Sequence, residues 1–135
     1  MIGLVIVAHD KLAEALLATM EHVVGKQSNA VAISVGASDD LRARQAQISA
    51  AVAEVNNGRG VIIVTDMLGG TPSNLAHGAM SGPNVEVIYG ANLPLLVKLA
   101  KMREASVQDA AAAALEAGRK YVNSAGAILN ADVSA

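Results

Sequence analysis

Two side chains of complementary chemistry each follow an apolar run. His9 comes after Ile2–Ala8, and Asp66 comes after Val61–Val64 and Thr65. A carboxylate that accepts from one imidazole N–H fixes the ring's tautomer and orientation. The other ring nitrogen is then free to act as base, ligand or nucleophile. Beyond Asp66 stand Gly69 and Gly70, followed by Thr71-Pro72-Ser73-Asn74. The paired glycines let the backbone bend where a Cβ would clash. Thr71 is expected to cap a helix, with Pro72 at the first helical position, where no N–H is required. The free N–H groups and positive dipole end of such a helix suit an anion, and Gly69, Gly70 and Ser73 are assigned to that cradle. A nucleophilic imidazole, an orienting acid and an anion cradle together suit phosphoryl transfer through a phosphohistidine. They suit hydrolysis less well, since the sequence offers no second base for water and no metal-binding cluster. The loop matches neither the GxGxxG nor the Walker-type phosphate fingerprint, so it also reads as an ordinary glycine-rich connection with Asp66 as a loop cap.

The elements that would position these residues follow from periodicity. Val61–Val64 and Ile2–Ala8 are continuous apolar runs of strand length, the pattern of parallel strands buried on both faces. Leu12, Leu16, Met20, Val23 and Val24 recur at helical spacing within Lys11–Val24, and Gly25 follows as a stop signal. Ala30–Val35 reads as a strand closed by Gly36. Ser38-Asp39-Asp40 opens a helix to about Val55, which Asn56-Asn57-Gly58 ends. A helix from Pro72 to about Met80 precedes a turn at Ser81–Asn84 and a strand over Val85–Tyr89. Helices are then expected over Leu93–Met102, with Pro94 in the first turn, and over Ser106–Ala117. Tyr121–Asn130 either prolongs the last helix or forms a short edge strand, and residues 131–135 read as a frayed tail. Strands alternating with helices predict an α/β, doubly wound, flavodoxin-like sheet of four parallel strands in order 2-1-3-4, with helices on both faces. Its switch point lies between the first and third strands, at their carboxyl ends, where such sheets bind ligands. His9-Asp10 and Asp66–Thr71 sit at those two ends, so the topology brings them to one crevice.

Composition narrows the class. A chain of 135 residues with no Trp, no Phe and no Cys needs an aliphatic, alanine-rich core and excludes disulfides and thiolate metal sites. A net charge of −2 and the lack of a basic run argue against nucleic acid. The N-terminus lacks the positive flank of a signal peptide, and no apolar run reaches the ~18 residues of a membrane span. The expectation is a single cytoplasmic domain over residues 1–130, with no cofactor and no direct membrane insertion.

Three stretches, IGLVIVAH, VIIVTDMLGGTPSNLA and VEVIYGANLPLLVKL, together resemble the mannose-type IIA domain of the bacterial phosphoenolpyruvate-dependent sugar phosphotransferase system. The resemblance covers nearly the whole chain. It implies a phosphocarrier in which His9 takes a phosphoryl group from phospho-HPr and passes it to a IIB component for sugar uptake. It further implies that Asp66 orients His9 and that Thr71 hydrogen-bonds the phosphoryl group. Domains of this kind form homodimers with an exchanged C-terminal edge strand, a role that Tyr121–Asn130 would fill. One position departs from the pattern: the family usually has glycine after the active histidine, and here Asp10 stands there. Its benign reading is a helix N-cap, its harsher one slowed transfer or weakened docking of the donor. His22 and His77 read as surface helix residues, His77 lying close enough to Thr71 to rim the crevice.

The alternatives to a sugar-uptake carrier are a regulatory phosphoprotein of the same system and a phosphotransfer subunit of a dihydroxyacetone kinase. A receiver-like domain phosphorylated on aspartate would use Asp10 and Asp66, but lacks the usual paired acids after the first strand. The identity of the sugar is not written in this chain, because the transporter subunit selects it.

Overall fold

The computed structural model describes residues 1–80, 82 and 84–134, with side chains to residue 130. Elements follow one another as β1 (Gly3–His9), α1 (Leu12–Val24), β2 (Ala30–Val35), α2 (Leu41–Val55), β3 (Val61–Thr65), α3 (Thr71–Gly78), β4 (Val85–Ile88), α4 (Leu93–Lys101), α5 (Val107–Lys120) and α6 (Ala125–Ser134). The four strands form one parallel sheet in the expected order, β2-β1-β3-β4.

Strand alternation divides the core into two halves. Leu4, Ile6, Ala8, Ile62, Val64 and Ile88 face one side and pack with Ala13 and Met20 of α1, Leu96 and Leu99 of α4, and Ala110 and Ala114 of α5. Val5, Val7, Ile33, Ile63, Val85 and Val87 face the other side, against Ile48 and Val52 of α2 and Leu75 and Ala76 of α3. The central strands β1, to Ala8, and β3 are buried on both faces, which is why they read as unbroken apolar runs, whereas β2 is only partly buried and β4 exposes Glu86. Alanines on α5 take the place of aromatic filling and allow a helix to lie close on the sheet.

His9, as the last residue of β1, shares the parity of Val5 and Val7 and is thereby directed to the α2/α3 side. Side chains cap several of the helix starts. The Asp40 side chain accepts from the backbone N–H groups of Arg42 and Ala43, so the predicted acidic start of α2 is one of real capping. Asn92 and Ser106 do the same for α4 and α5.

Two local expectations are corrected. Asp10 does not cap α1. It occupies a left-handed turn at φ +51°, its N–H bonded to the Val35 carbonyl at 2.9 Å, and Lys11 takes the cap position without a side-chain bond. The C-terminal segment forms no edge strand: α5 runs to Lys120, and Ala125–Ser134 is helix α6. Ser124 explains the helix, its hydroxyl accepting from the Ala127 N–H at 3.2 Å at the head of an alanine-containing run. Helix also extends through most of the segment expected to fray, while Ala135 lies outside the described residues, as do Ser81 and Pro83 of the predicted turn.

At the amino ends of the strands, far from His9, Arg103 is 4% exposed. Its guanidinium donates to the carbonyls of Ile2 (2.9 Å), Ser28 (2.6 Å) and Asn29 (2.7 Å) and to the Gln27 side chain (3.2 Å). Burial pushes its pKa down, opposed by the charge of Glu104. The fork ties the turn after α4 to the starts of β1 and β2. Arg103→Met keeps the packing but removes the guanidinium donor from all three carbonyls, of which Asn29 keeps the Leu4 N–H at 3.0 Å. It is expected to lower stability by about 3 kcal/mol in a urea melt, since each buried acceptor left unsatisfied costs roughly 1–3 kcal/mol. A loss below about 1 kcal/mol would show that water replaces the fork.

Candidate phosphoryl-transfer site

At the carboxyl ends of β1 and β3 the His9 ring and the Asp66 carboxylate meet. Nδ1 of His9 lies 2.7 Å from Oδ2 of Asp66, and the His9 backbone N–H donates to the same oxygen at 3.1 Å. One carboxylate oxygen therefore holds both the ring and the strand end. Asp66 is mostly buried, with a side-chain exposure of 12%, while His9 is 47% exposed. Burial alone would raise the Asp66 pKa. The hydrogen bonds from the His9 ring and backbone, with the charge of that ring, outweigh it and hold the carboxyl below the usual carboxylate range. An ionised Asp66 accepts, so Nδ1 carries the proton and Nε2 is the free nitrogen.

The glycine pair after Asp66 answers two different needs. Gly69 adopts φ +91°, a left-handed conformation that side chains rarely take. Gly70 has an ordinary backbone, but a Cβ there would stand 2.8 Å from Cε1 and 3.3 Å from Nε2 of His9. The imidazole therefore lies directly against the start of α3, its free nitrogen beside the helix end. Gly70, not Thr71, is the N-cap of α3, and Thr71 and Pro72 are its first two residues. Thr71 is exposed and lines a crevice of about 440 Å³ together with His9, Asp10, Asp39 and Leu41.

Ser73, assigned from the sequence to the anion cradle, is fully buried. Its hydroxyl donates to the Gly70 carbonyl at 2.9 Å and accepts from the Gly69 N–H at 3.0 Å, so it shapes the loop from inside. His22 is exposed late in α1. His77 is exposed near the end of α3, where Nε2 pairs with the Tyr89 hydroxyl and the rings meet edge to face at 5.4 Å. Among the described residues neither histidine is joined to a carboxylate.

Three parts of the site escape a reading of the sequence. Asp39 lines the crevice with Thr71 and accepts from the Gly36 N–H and from Arg44, each at 2.7 Å. Those bonds hold its pKa down. Leu41 stands beside it, half exposed. Met67 and Leu68, between Asp66 and the glycines, project into solvent at 56% and 64% exposure. An apolar pair inside a turn next to a candidate nucleophile is the signal that would single them out. A larger groove of about 520 Å³ runs between α4 and α5, lined by Pro94, Val97, Lys98 and Tyr121. Its titratable lining is Lys98, Lys101, Lys120 and Glu116, with no histidine, whereas the smaller crevice holds the His9–Asp66 pair.

Comparison with known proteins agrees with this fold. Residues 3–116 match the family EIIA-man, described as "PTS system fructose IIA component". The mannose-specific EIIAB component of the phosphotransferase system of Escherichia coli K12 is 32% identical over 124 residues, covering 90% of this chain and 38% of that protein. The chain thus spans under two fifths of the length of that relative. The fructose-specific EIIA component of Bacillus subtilis is 25% identical over 77% of this chain and 72% of that protein. Among solved structures, the mannose/sorbose-specific IIA subunit from Enterococcus faecalis superposes with a TM-score of 0.82 at 31% identity, covering 91% of this chain and 93% of that one.

Proposed function

Because the chain belongs to the EIIA-man family of phosphotransferase-system IIA components, we propose that it is the phosphocarrier whose His9 takes a phosphoryl group from phospho-HPr and hands it to a IIB component during sugar uptake. The observation that supports this most is the 2.7 Å bond between His9 Nδ1 and Asp66, which leaves Nε2 free beside the N-terminus of α3. In the proposed step the Nε2 lone pair attacks phosphorus. The donor's P–N bond breaks, and its electron pair returns to the donor's own ring. Positive charge gathers on the His9 imidazole as the new bond forms, and Asp66 is placed to stabilise it through Nδ1–H. Backbone N–H groups at the start of α3 and the Thr71 hydroxyl would face the phosphoryl oxygens. Handing on to IIB is the same step in reverse, with an acceptor side chain on the partner as the new nucleophile.

Leu41 lines this crevice, and the exposed Met67 and Leu68 lie in the loop between Asp66 and Gly69; all three would meet the partner's surface as the phosphoryl group passes. No described helix is long and apolar enough to cross a membrane, and the working unit of the proposal is a cytoplasmic domain of residues 1–130. A homodimer belongs to the same reading, since Tyr121, Val122, Ile128 and Leu129 stand 50–73% exposed at the C-terminal end.

The test is reconstitution with purified HPr, the kinase that charges it, and labelled phosphoenolpyruvate, followed by addition of a IIB protein. Label on the chain should be acid-labile and alkali-stable, as a phosphoramidate is, and should move to IIB. Sedimentation of the same sample should give twice the chain mass. An alkali- and hydroxylamine-labile acyl phosphate would overturn the histidine assignment in favour of an aspartate.

A further inference from the structure

We propose that Asp10 sets how strongly the site holds its phosphoryl group: its carboxylate shares the crevice with the His9 ring and weakens the phosphorylated state by repulsion, making the protein a readier donor. The inference rests on the phosphohistidine reading and deepens it.

Three observations carry it. Asp10 lines the crevice with His9 and Thr71, so its charge borders the space that a group on Nε2 would fill. Among the described residues the ion pairs are His9–Asp66 and Arg44–Asp39. The other carboxylate of the lining, Asp39, is therefore matched by Arg44, whereas Asp10 belongs to neither pair. Finally, Asp10 is held at φ +51°, a conformation that aspartate tolerates and glycine adopts freely, so the turn itself does not call for a carboxylate. Of the charged groups beside it in the chain or in the crevice, Lys11 is next in sequence and exposed, Asp66 is engaged with His9, and Asp39 is engaged with Arg44.

A phosphoryl group carries close to two negative charges at neutral pH, as other phosphorylated side chains do. Placed in a crevice beside an unmatched carboxylate, it is raised in energy relative to the same group on a partner without one. The P–N bond that forms and the P–N bond that breaks are unchanged. What shifts is the balance between them, toward release.

The test removes partner docking from the measurement. Potassium phosphoramidate donates its phosphoryl group to an imidazole, its own P–N bond breaking as ammonia leaves with a proton. In a background carrying His22→Ala and His77→Ala, with phosphoramidate and ammonium fixed, the ratio of phosphorylated to free protein therefore reads the equilibrium at His9. Asp10→Asn keeps the shape and removes the charge, and Asp10→Gly removes the side chain. Both residues accept a positive φ, so the turn survives in either. Each variant should raise the ratio by roughly 3–10-fold, and the gain should shrink as salt rises from about 0.05 to about 0.5 M. A ratio unchanged in both variants, a rise in the asparagine variant alone, or a gain indifferent to salt would overturn the proposal while leaving the phosphohistidine in place. Wild-type protein that takes no phosphoryl group on His9 would instead bring down the reading beneath it, and this inference with it.

Discussion

His9→Ala is expected to reduce labelling from phospho-HPr to background, while His22→Ala and His77→Ala label like the wild type. The reason is position as much as residue type. His9 is the histidine whose ring is joined to a carboxylate, at 2.7 Å, and whose second nitrogen lies against the start of a helix. On the proposed phosphohistidine route the substitution removes the nucleophile and with it the covalent step, so the loss should exceed about 10³-fold in rate. His22 is a solvated helix residue, and His77 is spent on the Tyr89 hydroxyl. Rapid-quench labelling of the three variants, with thermal melts alongside, measures this. Retained label in folded His9→Ala would place the acceptor elsewhere.

Asp66→Asn should fold and yet transfer poorly, with a loss on the order of 10²–10⁴ in rate, as when an orienting carboxylate is neutralised beside other catalytic imidazoles. The amide keeps the shape but removes the charge that stabilises the ring cation. It also offers an N–H₂ group that can select the wrong tautomer. Asp66 has a second, separable signature. Its pKa is lowered in the folded state, so it contributes stability that is present above the ordinary carboxylate pKa and is lost as pH falls through the folded value. The wild type should therefore melt above Asp66→Asn at neutral pH, and the two should converge in acid. An Asp66→Asn protein that accepts phosphate within a factor of about three of wild type would reduce Asp66 to a loop residue.

Much of the site is legible in the sequence because it stands at strand ends. His9 and Asp66 each close an apolar run, and a doubly wound sheet brings the ends of its first and third strands together. The glycine pair is also legible, but not its division of labour, with one residue needed for its dihedral angle and the other for contact with the imidazole. Ser73 misleads for a related reason. A hydroxyl two residues past a glycine pair looks available, and only the closed loop shows that it is already bonded at Gly69 and Gly70.

What the sequence determined by itself is the architecture and the meeting of His9 and Asp66 at one end of the sheet. Apolar runs, helical spacing and turn residues act within a few neighbours of the chain, so they can be read along it. Strand order followed from the rules of parallel crossovers. The tertiary structure decided what depends on groups distant in sequence meeting at fixed distance and angle. It turned Asp10 from a helix cap into a left-handed corner, because the Asp10 N–H is drawn onto the β2 carbonyl of Val35. It gave the wall of the crevice to Asp39 and Leu41, and it gave Arg103 its carbonyl acceptors beside β1 and β2. It made helix of the C-terminal segment, where alanine content and the Ser124 cap outweighed the apolar pattern. Hydrogen bonds and close contacts fall off within a few ångströms, so a pattern along the chain can bring such groups into one region, and only packing can bring them within reach of one another.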